Sequence, residues 1–218
     1  MKTALVFGSS GLVGGYLLNQ LIENDNYNKI KIFVRSEPEN NDPKVEIIKT
    51  DFNNLENHKE DIKGNDCFFC IGTTKQNSPD QSEYRRVELD VPKKIAQIAK
   101  SNSVNSFVFV SSGYADPKSS GDYLKFKGEV EEELKRLNFP KLGIMRPSFL
   151  LGDRKEKRVG EKIGIFVFKL LSPLFLGPLK KMKPIHSETV AKAMIKIANE
   201  NLRKTIFESN EIVEITSR

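Results

Sequence analysis

Gly8, Gly11 and Gly14 separate two different hydrophobic rhythms. Before them, Thr3 to Phe7 is a continuous apolar run, as in a parallel strand buried on both faces. After them, Val13, Leu17 and Leu21 fall four apart and share one face of a helix. Strand, glycine turn and helix in that order form a pyrophosphate site. In this reading Gly8 permits the sharp exit from the strand. Gly11, without a Cβ, lets backbone approach phosphate, and Gly14 lets the helix lie close to the sheet. The free N–H groups at the helix start and its positive dipole end then face the anion, and Ser10, Leu12 and Val13 join the three glycines as expected cofactor-binding residues. A glycine string alone is weak; the flanking strand and helix give it meaning.

The rest of the chain continues the alternation. Strands are expected at 29–35, 45–48, 66–71, 106–110, 141–145 and 205–208. Helices are expected at 55–62 (short and weak), 81–101 (kinked at Pro92), 122–137 and 187–199, the last capped by Ser187. This is an α/β chain, a Rossmann-type doubly wound parallel sheet of order 3-2-1-4-5-6 with a small C-terminal substrate-side extension. A length of 218 residues suits one domain over 1–218, with 148–218 contributing the substrate side.

Two cysteines, Cys67 and Cys70, give no disulfide framework. Their spacing matches a redox motif. On a strand, however, the two side chains would point to opposite faces, so both are read as core packing. Reduced cysteines and no leader-like start lead to the expectation of a cytoplasmic protein. The formal net charge of +6 fits an anionic ligand. Without a basic stripe or a reading helix, no nucleic-acid partner is expected. His58 and His186 lack a metal-ligand pattern, so no metal is expected.

About twenty residues beyond the glycines, the second strand ends at Arg35. A residue there meets the adenosine ribose, and an arginine suits a 2′-phosphate. The cofactor expected is NADP, with NAD kept open by Glu37. For carbonyl chemistry, Tyr123 can donate a proton, with Lys127 one helical turn later lowering its pKa. The same Tyr–Lys spacing recurs at Tyr27/Lys31 and Tyr114/Lys118. Only Tyr123/Lys127 begins a helix directly after a strand. That strand ends at Ser111-Ser112, and Ser112 is favoured over Ser111 as the donor to a substrate oxygen.

With these residues in view, the chain resembles an atypical short-chain dehydrogenase/reductase of the Tat-interacting-protein-like branch. The likeness rests on Gly8 to Gly14, Phe33-Val34-Arg35, Phe69 to Thr74, Val110-Ser111-Ser112, Tyr123 with Lys127 to Glu131, Arg146-Pro147 and Ile185 to Ala191. It implies NADP(H) binding and a Ser112–Tyr123–Lys127 arrangement. It further implies that Asp51 and Phe52 border the adenine, and that Ile71, Gly72 and Thr73 border the ribose and phosphate side. Pro147 would lie near the nicotinamide, and Lys127 would hold the nicotinamide ribose. The family's pattern carries an asparagine in the long helix that supports the lysine. Here Glu88 and Asp90 stand in that region.

The function expected is hydride transfer between NADP(H) and a small carbonyl or alcohol. Two alternatives are a non-catalytic NADP(H) sensor and a sugar-nucleotide epimerase or dehydratase. The apolar stretch 163–179, opening on Ile163 and closing on Leu179, is read as a wall of the substrate cleft. A membrane-surface role is the minor alternative, because Lys180, Lys181 and Lys183 come directly after it. The partner expected is a small-molecule substrate.

Overall fold

A computed structural model describes residues 1–38, 40–152 and 183–217. Its seven-stranded sheet is parallel throughout and has the order β3-β2-β1-β4-β5-β6-β9. These strands are β1 (Lys2–Phe7), β2 (Tyr27–Val34), β3 (Val45–Lys49), β4 (Asp66–Phe69), β5 (Ser106–Val110), β6 (Lys141–Arg146) and β9 (Ile206–Glu208). The expected order over six strands is therefore present, and the C-terminal tail adds a seventh beside β6. A separate two-stranded piece pairs β7 (Leu150–Leu151) with β8 (Ile185–His186).

Period-2 alternation sorts the core into two layers. Ala4, Val6, Ile30 and Phe68 pack on one side, with α1 (Leu12–Ile22) and α5 (Ser187–Asn199). Leu5, Phe7, Phe33 and Phe69 pack on the other. There they meet α3 (Val91–Ser101) and α4 (Asp122–Leu137). Phe33, Phe7, Phe69 and Phe109 form a row across the carboxyl ends of four strands, with centroid separations of 4.3, 6.0 and 5.8 Å. Each such buried ring contributes about 1.5–3 kcal/mol. Cys67 and Cys70 do fall into opposite layers. Burial pushes the Cys70 thiol up to about 12 and raises Cys67 as well, so neither is a ready thiolate.

Several local expectations change. The weak helix at 55–62 shrinks to one 3₁₀ turn, Leu55–His58, for only Leu55 of that turn is buried. The long helix does run from residue 81 to residue 101. It begins as α2 (Gln81–Arg85), capped by Asp80, and widens into a π turn at Arg86–Asp90 before α3. Pro92 lacks an N–H and its ring crowds the carbonyl four residues back, so the widening falls where a regular ladder is weakest. Ser187 is not the cap of α5. His186 occupies the N-cap position, and Ser187 is the first helical residue, buried. A last helix, α6 (Ser209–Ser217), comes after β9, where the sequence gives no expectation of one. Among the described residues no helix is long and apolar enough to cross a membrane. The stretch 163–179 and the lysines at 180 and 181 lie outside the described residues.

Gly14 and Gly15 make opposite demands on a methyl group. A Cβ on Gly14 would sit 2.0 Å from the Gly8 carbonyl oxygen, whereas one on Gly15 finds its nearest neighbour at 3.6 Å. Gly14→Ala is expected to cost about 3 kcal/mol or more through backbone displacement. Gly15→Ala is expected to gain up to about 1 kcal/mol from helix propensity. Thermal denaturation of the two variants should therefore move the midpoint in opposite directions.

Candidate functional site: a dinucleotide crevice and a buried lysine

The crevice opens at the carboxyl ends of β1, β2 and β4 and has a volume of ≈ 260 Å³. Its floor is the turn from β1 into α1. Gly8 has φ of +90°, and a Cβ there would lie 2.8 Å from the backbone of Cys70 and Ile71. Gly11 occupies the N-cap of α1, and no side chain caps the helix. The first ladder bond runs from the Gly15 N–H to the Gly11 carbonyl at 2.8 Å. The amides of Leu12, Val13 and Gly14 precede it, which suits an anion. Ser10 and Gly11 line the crevice, whereas the Val13 side chain is buried in the core, leaving only its backbone for the site. These features are those a pyrophosphate requires: a close backbone approach that a side chain would fill, and uncapped helix amides.

The wall at one end consists of Arg35, Asp51, Phe52, Glu83 and Arg86. Phe52 is left-handed, with φ of +63°, and its N–H donates to Thr50 Oγ1 at 3.1 Å. Arg86 donates to Glu83 through Nε at 2.7 Å and Nη2 at 2.8 Å, and to the Phe52 carbonyl through Nη1 at 3.3 Å. Hydrogen bonds from Asn53 hold the Asp51 carboxyl below its ordinary range, and Arg86 adds to this. At the other end lie Ile71, Gly72 and Thr73, with Asn77 and Ser78 beyond them. Sequence reasoning missed Asn77, Ser78, Glu83 and Arg86. Charge on a helix surface and a polar loop carry no local signal of a crevice.

Tyr123 lies in the first turn of α4 and is 39% exposed, while Lys127, one turn on, is 3% exposed. The Lys127 ammonium lies 3.0 Å from Glu88 Oε2, 4.9 Å from the Phe109 ring centre and 5.8 Å from that of Tyr123. The other Glu88 oxygen accepts the Thr73 N–H at 2.5 Å. Glu88 comes from the π turn and is 1% exposed. Burial alone would pull Lys127 down. Glu88 outweighs it, with help from Tyr123 and Cys70, and the ammonium titrates above its ordinary range. The position read in the sequence as a departure is thus the direct partner of the lysine.

The two serines after β5 differ. Ser111 is buried and donates to Glu131 Oε1 at 2.6 Å. Glu131 also receives a fork from Arg146, at 2.9 and 2.6 Å. Ser112 is only half-buried, and its hydroxyl donates to the Gly113 carbonyl at 3.3 Å, a weak bond it can exchange. The Gly113 N–H donates to the Pro147 carbonyl at 2.9 Å, which ties Pro147 to the Ser112 loop. Gly128 lets that loop rest on α4, since a Cβ there would meet Pro117 at 2.3 Å.

Comparison with known proteins agrees with this geometry. A family model described as NAD(P)H-binding matches residues 8–201. Rat HTATIP2 is 34% identical over 166 residues, covering 73% of this chain and 67% of that protein. FMP52 of Meyerozyma guilliermondii, a mitochondrial protein, is 33% identical over 211 residues, 93% of this chain and 88% of its own. Among solved structures, a UDP-N-acetylglucosamine 4-epimerase from Methanobrevibacter ruminantium matches with a TM-score of 0.72 at 18% identity, over 98% of this chain and 80% of that one. The enzyme WbmH of Bordetella bronchiseptica, in complex with NAD+, matches with a TM-score of 0.72 at 15% identity, over 95% and 75%. At such identities these structures speak for the fold.

The cytoplasmic expectation is overturned by these relatives. FMP52 proteins of several yeasts, 29–33% identical over most of this chain, are mitochondrial. Free cysteines report a reducing setting and do not distinguish one reducing compartment from another. With a family model spanning most of the chain and a relative at 34% identity, the protein belongs to the NAD(P)H-binding family and is a Rossmann-fold relative of HTATIP2.

Proposed function

We propose that the protein is an NADP(H)-dependent oxidoreductase acting on a small carbonyl or alcohol. The observation that carries this reading is the buried Lys127 ammonium, paired with Glu88 one helical turn from the half-exposed Tyr123. Gly8, Ser10, Gly11, Leu12, Val13 and Gly14 would hold the pyrophosphate. Asp51 and Phe52 would border the adenine, and Ile71, Gly72 and Thr73 the ribose and phosphate side. Pro147 would lie near the nicotinamide, and Lys127 would hold the adjoining ribose. Arg35 would take the 2′-phosphate, which favours NADP over NAD. When bound, the coenzyme supplies the hydride.

The chain's own residues do the rest. In the reducing direction, the Ser112 hydroxyl turns from the Gly113 carbonyl to donate to the substrate oxygen and steadies its growing charge. Tyr123 gives its phenolic proton to that oxygen as the alkoxide forms. Lys127 stabilises the phenolate left behind, and solvent returns the proton, since Tyr123 is exposed. Glu88 holds Lys127 in place and, through the Thr73 N–H, binds the catalytic helix to the loop beside the coenzyme. The tail after Pro147 would form part of the substrate side of one domain.

One observation favours a second reading, a coenzyme sensor without turnover. Glu88 supplies a full negative charge beside Lys127 where the family pattern carries a neutral amide, which weakens the field available to a phenolate. NADPH oxidation across a panel of aldehydes, ketones and quinones separates the two. An enzyme is expected to lose about 10²–10⁴-fold in kcat with Tyr123→Phe while its NADPH affinity stays unchanged. Tight NADPH binding with no turnover of any substrate by the native protein would favour the sensor.

The ion pair can be tested without activity. Glu88→Gln keeps an acceptor for the Thr73 amide but leaves a buried ammonium unpaired. It is expected to cost about 3–5 kcal/mol at pH 7. Because Lys127 titrates higher in the folded state than in the unfolded chain, its stabilisation is complete below the unfolded pKa of about 10.4. It is then lost as pH rises through the folded value. Melting temperatures between about pH 9 and 12 should show this loss setting in above about pH 10.4 in the native protein, and a smaller one in Glu88→Gln.

A further inference from the structure

The adenosine end of the crevice carries four charged side chains: Arg35 after β2, Asp51 after β3, and Glu83 and Arg86 from the start of the long helix. They are not equally available. Asp51 is engaged by Asn53 through its backbone N–H at 2.9 Å and its side-chain amide at 2.8 Å. Arg86 has three donors committed, two to Glu83 and one to the Phe52 carbonyl. Arg35 is exposed and forms no hydrogen bond or ion pair among the described residues. Two cations and two anions therefore face one another where a 2′-phosphate would add roughly −1.5 to −2 charges.

Resting on the dinucleotide reading of the crevice, we propose that Glu83 sets its coenzyme selectivity. The Glu83 carboxylate competes with a 2′-phosphate for the Arg86 guanidinium and opposes its charge beside Arg35, and so keeps the site open to a coenzyme with a free 2′-hydroxyl.

Three features support this. The Arg86 fork has the geometry best matched to a phosphate, and Glu83 already fills it. The Glu83 carboxylate also repels an incoming phosphate at Arg35. A carboxylate at this wall is, in addition, the group that accepts a ribose hydroxyl where NAD is bound. Both partners stay ionised at neutral pH. The Arg86 hydrogen bonds hold Glu83 below its ordinary range, and those to Glu83 raise Arg86. Glu83 is 41% exposed in its side chain, so replacing it leaves the core untouched.

The test is fluorescence titration of the full chain with NADPH and with NADH at fixed salt. In Glu83→Gln the NADPH Kd is expected to fall about tenfold while the NADH Kd stays the same or rises. Arg86→Gln alone should weaken NADPH only a few-fold, because the fork is occupied. Introduced together with Glu83→Gln, it should remove most of the gain. If native protein binds both coenzymes and Glu83→Gln leaves the ratio of their Kd values within twofold of native, the proposal is overturned. If native protein binds neither, the dinucleotide reading itself falls, and this inference with it.

Discussion

The carbonyl oxygen of Gly8 lies where a side chain on Gly14 would begin, only 2.0 Å from that absent Cβ. No other pair of residue types allows a strand exit and the helix it feeds to approach so closely. The contact sets α1 against β1, an interior strand between β2 and β4, and turns the amino end of α1 toward the crevice. It also seats the tail. Packed against α1 is α5, with Gln20 Nε2 donating to the Glu188 carbonyl at 3.2 Å. From α5 the chain returns to add β9 beside β6. A feature at the eighth residue thus constrains where residue 208 can lie.

A second constraint acts on the opposite face of the sheet, where α3 and α4 pack. Lys127 and Glu88 come from different helices and are both removed from water, so neither can be changed alone without stranding the other's charge. The π turn matters here. One extra residue in a helical turn shifts the phase of every later position, and Glu88 sits inside that turn while Val91 and Ile95 still reach the core. Pro92 lies directly behind. It would disrupt a regular turn in any case, so the irregularity falls where it costs least and serves to aim a carboxylate.

The fold was legible because its signals are local and redundant. Apolar runs mark the strands, glycines mark the first turn, and Asp122–Leu137 has a clear amphipathic period with the expected bounds. The catalytic candidates were legible for a related reason: Tyr123 and Lys127 are bound by helical spacing, and context removed the two competing pairs. What could not be read is long-range. That Ser111 is held by Glu131 and Arg146, that Arg86 reaches the Phe52 carbonyl, and that Glu88 meets Lys127 are facts about partners 15 to 39 residues apart. The cap of α5 was misplaced by one residue for a different reason. Ser187 has the right chemistry, but its position in the fold buries it one place into the helix.

Net charge was the least informative of the sequence signals. The chain carries +6, which fits an anionic ligand, yet the described cations near the crevice are almost all matched. Lys127 faces Glu88, Arg86 faces Glu83, and Lys75 faces Asp122 at 3.0 Å. Each pairing fixes a side chain's direction while cancelling its charge at a distance. Such a site attracts little through its overall field and selects by which donors remain unspent. At the phosphate floor these are the backbone amides of α1, which cannot be neutralised by a neighbouring carboxylate without blocking the site. On the wall of Asp51, Phe52 and Arg86 the corresponding group is Arg35. Under the proposed reading, recognition would then rest on uncapped amides and on one guanidinium unpaired among the described residues more than on the chain's net charge.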